Sequence, residues 1–105
     1  MDKTVVIFRK DRPDPKRGFH PTDVFALMPE IPTDELGRYC ACYQHIGQHG
    51  SADYHLCIRK SKPASPEEYA ELKAELETHR DYAPDGWNIR KRATQAMHET
   101  RRREA

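Results

Sequence analysis

Two short apolar runs separated by a proline-rich segment constrain this fold more than any other feature of the chain. Val5-Val6-Ile7-Phe8, led by Thr4, is a continuous β-branched and aromatic run bounded by Lys3 and by Arg9-Lys10. Such a run favours a buried strand, because branched and aromatic side chains pack well on a pleated surface. Asp23 to Met28 is a second short apolar run, and Pro29 and Pro32 are expected to end it, since proline has no N–H to give to a ladder. Between the two, Asp11 to Pro21 carries three prolines, a glycine and five charges. Residues 11–22 therefore read as an exposed loop, and the strands on either side of it are expected to pair antiparallel.

Further along, Pro32 to Gly37 reads as a turn. Arg38 to Gln44 then alternates, with Tyr39, Ala41 and Tyr43 on one face and Cys40 and Cys42 on the other. Asp53 to Arg59 reads as a fourth strand, Tyr54, Leu56 and Ile58 on one side and His55 and Cys57 on the other. Ser65-Pro66-Glu67-Glu68 is the clearest local signal: Ser65 can cap a helix, Pro66 suits its first position, and Glu68 completes a capping box. Tyr69, Leu72 and Leu76 follow as one apolar stripe on an otherwise charged helix, expected to end near Thr78 to Arg80. Trp87 to Arg92 reads as a last strand with Trp87 and Ile89 inward, and Thr94 can cap a terminal helix to about Arg103. No strand–helix–strand alternation runs through this order. The expected fold is α+β: a small, mostly antiparallel sheet of three to five strands covered by one main helix, with a short C-terminal helix.

At 105 residues the chain suits one domain, 1–105, with a modest core. A net charge of +1 excludes a uniformly basic nucleic-acid binder and an acidic tail protein alike. The charge is nevertheless uneven. Ser65 to Gly86 holds seven acids against two bases, whereas Trp87 to Ala105 holds six Lys/Arg against two acids, so residues 98–105 read as a basic tail. No apolar run approaches the roughly 20 residues needed to span a bilayer, so no membrane partner is expected. The N-terminus lacks a signal peptide's longer apolar stretch. Three cysteines cannot all pair within the chain. Reduced thiols in a cytoplasmic protein are expected.

Val6-Ile7-Phe8-Arg9-Lys10, Ala26-Leu27-Met28-Pro29-Glu30, Tyr43 to Gly50, and Ser65-Pro66-Glu67-Glu68-Tyr69 with Leu72-Lys73 and Glu75-Leu76-Glu77 occur here in that order. Together they make the chain resemble a family of small bacterial and phage proteins. The resemblance covers most of the chain except Asp11 to Pro21. It implies a common fold and a shared site region, and it carries no activity.

Tyr43-Gln44-His45-Ile46-Gly47-Gln48-His49-Gly50 is the richest chemical segment, with two imidazoles, two carboxamides and two glycines. Imidazole can ligate metal, shuttle protons or anchor a loop near neutral pH. Tyr43, Gln44, His45, Gln48 and His49 are the binding candidates, for an unidentified protein or small-molecule partner. A catalytic histidine normally has an orienting carboxylate or a nucleophile at recognisable spacing, and none stands out here. A non-catalytic binding or accessory protein is therefore favoured over an enzyme. Two alternatives remain open. Cys40, Cys42, His45, His49 and Cys57 are the right types for zinc, although their spacing matches no paired Cys-x2-Cys knuckle and no cofactor is expected. Arg90, Lys91, Arg92, Arg101, Arg102 and Arg103 could track a phosphate backbone, with nucleic acid as the partner.

Overall fold

The computed structural model describes residues 3–12, 24–44, 48–78 and 81–105. Along the chain these form β1 (Thr4–Asp11), β2 (Val24–Pro32), β3 (Cys40–Gln44), β4 (Gln48–Ala52), α1 (Tyr54–Lys60), β5 (Ser61–Pro63), α2 (Pro66–Leu76), β6 (Trp87–Ile89) and α3 (Gln95–Glu104). The fold is α+β around one sheet. The strands run in the order β4-β3-β2-β1-β5, and β6 also pairs with β1.

β1 and β2 pair antiparallel as expected, with Ile7 opposite Leu27 and Phe8 opposite Ala26. The other side of β1 is shared. Its C-terminal half takes β5 antiparallel, Arg9 opposite Pro63, while its N-terminal half takes β6 parallel, Val6 opposite Ile89. Most of the sheet is thus antiparallel, with one short parallel pair.

Helices cover both faces. On one, α2 lays Leu72 and Leu76 over Val6, Phe8, Ala26, Met28, Ala41 and Tyr43. On the other, Tyr54 of α1 joins Val5, Ile7, Phe25, Leu27, Cys40 and Ala52, with Met97 of α3 packed alongside. A strand apolar on both sides requires this, since Val5 to Phe8 would otherwise leave half its side chains in water. The cap of α2 forms as the sequence implies. Ser65 Oγ accepts from the Glu68 N–H, and the Glu68 carboxylate accepts from the Ser65 N–H. Its Glu68 also meets Lys10 at 2.7 Å. Hydrogen bonding from Lys10 and from the Ser65 backbone holds that carboxyl down at about 2.

Several expectations are corrected. Asp53 to Arg59 is not a strand: Tyr54–Lys60 is helical, and the Asp53 carboxylate caps it by accepting from the Leu56 N–H. Over seven residues, Tyr-x-x-Cys-Ile fits a helical stripe as well as Tyr-x-Leu-x-Ile fits a strand. The cap and the basic last turn at Arg59 and Lys60 favour the helix, which leaves Leu56 exposed. β2 does not stop at Pro29 but continues to Pro32, with its register on β3 shifting between Met28 and Pro32. An irregularity of this kind tolerates the missing N–H of proline. Ile89 faces the flank of α2 but stays 37% exposed. The terminal helix expected from Thr94 forms as α3, and residues 98–104 of the basic stretch lie within it. Most of the proline-rich segment, residues 13–23, lies outside the described residues.

Candidate functional site

The β3–β4 hairpin sorts its own side chains. Tyr43 pairs with His49, Cys42 with Gly50 and Cys40 with Ala52. Side chains of cross-strand partners share a face, so Tyr43 and His49 point to the α2 side while Cys40 and Cys42 point to the α1 side. Tyr43 is fully buried, and its hydroxyl donates to the Glu75 carboxylate on α2. His49 is exposed above it. The Tyr43 ring meets the imidazole edge-on at 4.9 Å, and Tyr82 stacks against it at 5.4 Å. His49 Nδ1 and the Tyr82 hydroxyl are hydrogen-bonded.

Tyr82 is itself held, because its carbonyl accepts from the Thr4 hydroxyl at 2.8 Å. Burial pushes its phenol above the usual range, so the hydroxyl keeps its proton at neutral pH. Gln44 is exposed at the end of β3, and Gln48 opens β4 by backbone pairing with Gln44. His45 lies outside the described residues. The hairpin end therefore presents a histidine fixed on two sides by aromatic rings, over a buried tyrosine–carboxylate contact. Tyr82 and Glu75 had no signal in the sequence as members of this group, for they reach it across more than thirty residues.

The thiols gather elsewhere. Cys40 is buried on the face covered by α1 and α3, with Cys42 and Cys57 half-buried against the same cluster. Gly50 leaves room for Cys42, whose Sγ would lie 3.1 Å from any Cβ built there. Burial pushes Cys40 up to about 12 and raises Cys42 and Cys57 as well, so all three remain thiols at neutral pH. Of the zinc set, His45 lies outside the described residues, and His49 stands on the opposite side of the sheet from the cysteines. No group of three or more His, Cys, Asp or Glu able to hold a metal occurs among the described residues.

The arginine runs divide. Arg90, Lys91 and Arg92 are exposed after β6, and Arg102 and Arg103 are exposed on α3. Arg101 is buried. Its Nε donates to the Gly37 carbonyl at 2.8 Å, and Nη1 donates to the Pro29 carbonyl at 2.7 Å and to His98 Nδ1 at 2.9 Å. Since guanidinium only donates, Nδ1 of His98 must be an unprotonated acceptor. Arg101 is thus no phosphate contact but the bolt that fixes α3 to the end of β2. Gly37 makes this possible. It sits at φ 68°, and a Cβ there would lie 2.8 Å from Arg102 Cα.

Arg9 plays the same part for α1, and the sequence showed it only as a charge bounding a strand. It is buried and donates to Ser61 Oγ, the Ser61 carbonyl and the Ile58 carbonyl. Burial lowers its pKa from an ordinary guanidinium. Ser61 Oγ in turn donates to the Cys57 carbonyl at 2.6 Å, so the last turn of α1 is closed from beneath.

Compared with protein-family models, with curated proteins and with solved structures, the chain finds no match in any of the three.

Proposed function

We propose that this is a small non-catalytic binding or accessory protein that meets its partner at the end of the β3–β4 hairpin. The observation that carries this reading is the exposed His49, held between the Tyr43 and Tyr82 rings and hydrogen-bonded to the Tyr82 hydroxyl. A side chain fixed before binding loses less entropy on binding, which is what recognition surfaces use rigid aromatic settings for. Exposed Gln44, next along β3 from Tyr43, supplies a carboxamide donor and acceptor at the same hairpin end, by alternation on the other face of the sheet. A binding role is favoured over catalysis because the three thiols stay protonated and the imidazole nitrogen Nδ1 is engaged by a tyrosine. The free cysteines support a reducing, cytoplasmic setting, and the segment Tyr43 to Gly50 supports kinship with the bacterial and phage family it resembles.

The test is the double variant Gln44→Ala/His49→Ala. Its melting temperature should stay close to that of the parent, because both side chains are exposed. Partner capture from the cell extract should be lost. Unchanged capture, or a large drop in stability, would make the hairpin end a structural element.

A further inference from the structure

Among the described residues no strand pairs with the outer edge of β6, which pairs with β1 on its inner side. The Thr4 N–H bonds to the Gly86 carbonyl and the Arg90 N–H bonds to the Val6 carbonyl, so residues 86, 88 and 90 face β1. By alternation the N–H and C=O groups of Trp87 and Ile89 face away from it. Beside this edge runs a cleft between β6 and the flank of α2. One end of about 330 Å³ is lined by Phe8, Tyr69, Pro66, Ile89, Arg90 and Lys91. Its middle is lined by Tyr69, Ala70, Lys73, Ala74, Glu77 and Ile89, and its far end by Glu77, Pro84, Gly86 and Trp87. The helix therefore runs antiparallel to the strand. Charged side chains stand at its two ends: Arg90 and Lys91 at one, and at the other the exposed Asp85 next to Gly86, with Lys3 also near Gly86 and Glu77 ion-paired with Lys73 at 3.3 Å.

We propose that this edge and cleft form the interface of a symmetric dimer, occupied by a second copy of this chain. A strand edge with Arg90 and Lys91 at one end and Asp85 at the other is complementary to itself when turned end for end, which is the operation of a two-fold axis. Antiparallel pairing centred on Asn88 sets Trp87 of each copy opposite Ile89 of the other. All four outward N–H groups and all four outward carbonyls then have partners or lie at the rim, with Trp87 and Ile89 exchanging both bonds in each pair. The same register carries Lys91 of one copy towards Asp85 of the other. Trp87 and Ile89 both point to the α2 side, so the two α2 helices come to lie side by side over the joined sheet. There the exposed Ala70 and Ala74 permit close approach. Pairing would also cover the exposed Ile89 and remove an open edge that otherwise invites unspecific strand addition.

Light scattering on protein eluting from a sizing column, over a range of concentrations, tests this. The mass should rise from the 12.3 kDa of one chain towards twice that value. Ile89→Lys, at an exposed position, should give a monomer with an unchanged melt at low concentration. Lys91→Asp should weaken the dimer at least tenfold, and Lys91→Asp combined with Asp85→Lys should restore it. If Ile89→Lys fails to fold, the charge exchange alone decides. A monomer at every concentration overturns the proposal, as does a dimer indifferent to Ile89→Lys or a charge exchange that restores nothing.

Discussion

The two faces of the sheet are closed by different chemistry. On the α2 face an apolar stripe does the work: Leu72 and Leu76 are buried, and Tyr69 stacks on Phe8 at 4.3 Å. Polar groups on this side lie at its margins, Lys10 with Glu68 at the start of α2 and Tyr43, Glu75, His49 and Tyr82 towards the hairpin. On the other face the helices are fastened by two buried arginines, Arg9 under α1 and Arg101 under α3, each donating to backbone carbonyls. The difference is that between burial, which is non-directional, and charge-assisted hydrogen bonds, which fix position and orientation together. A helix of seven residues such as α1 has too little apolar face to dock by area alone.

Substitutions can break or sharpen this contrast. The largest effect is expected on the stripe: Leu72→Ala should cost about 2–5 kcal/mol in a denaturant melt, as a cavity under a packed helix does. A cost near zero would mean that α2 is not held by burial. On the opposite face, Arg101→Met keeps much of the buried stem but leaves the carbonyls of Pro29 and Gly37 without their donor. A loss of about 2–3 kcal/mol is expected. Faster hydrogen exchange should be confined to α3 and the segment around Gly37; uniform acceleration would argue against a local fastening. Gly37→Ala meets both the positive φ and the backbone of Arg102, and should cost about 1–3 kcal/mol.

Acid should act on the arginine-fastened face first. Burial, with Arg101 next, lowers the His98 pKa below that of a free imidazole. The unfolded chain therefore takes up this proton before the folded one does. The stabilising contribution of neutral His98 is full above about pH 6.5 and is lost as pH falls from there through the depressed native value. Protonation also removes the acceptor that Arg101 uses. Melts between pH 7.5 and 5.5 should show this loss, and His98→Gln should flatten it. An equal slope in the variant would assign the effect to other groups. The Lys10–Glu68 contact behaves later: its contribution is present above the ordinary carboxyl range and fades as pH falls towards about 2. The smallest effect belongs to His49→Ala, expected within about 0.5 kcal/mol of the parent, with any larger loss turning the hairpin end into part of the scaffold.

Legibility in the sequence followed the range of the interactions. β1 and β2, the turn to Gly37, the alternation of β3 and both capped helices α2 and α3 were readable, because strand patterning and capping act over a few residues. The helix at Tyr54 was not, since its seven residues satisfy two periodicities and the arginine that closes it lies some fifty positions away. The candidate site was half readable. Tyr43, Gln44 and His49 stood out by composition, while Tyr82 and Glu75 joined them only through the packing of α2 and of the segment before β6.

By itself the sequence determined the class of fold: two apolar strands too hydrophobic for water on either side, and helices begun by Ser65 and Thr94. Only the tertiary structure decided what individual charged and polar residues do. It separated His49 from the cysteines by a single step of β alternation. It also took Arg101 out of an exposed basic run and set it against Gly37, Pro29 and His98. Local propensity is written in neighbouring residues, but the fate of a side chain depends on which distant backbone it meets, and that is settled by packing.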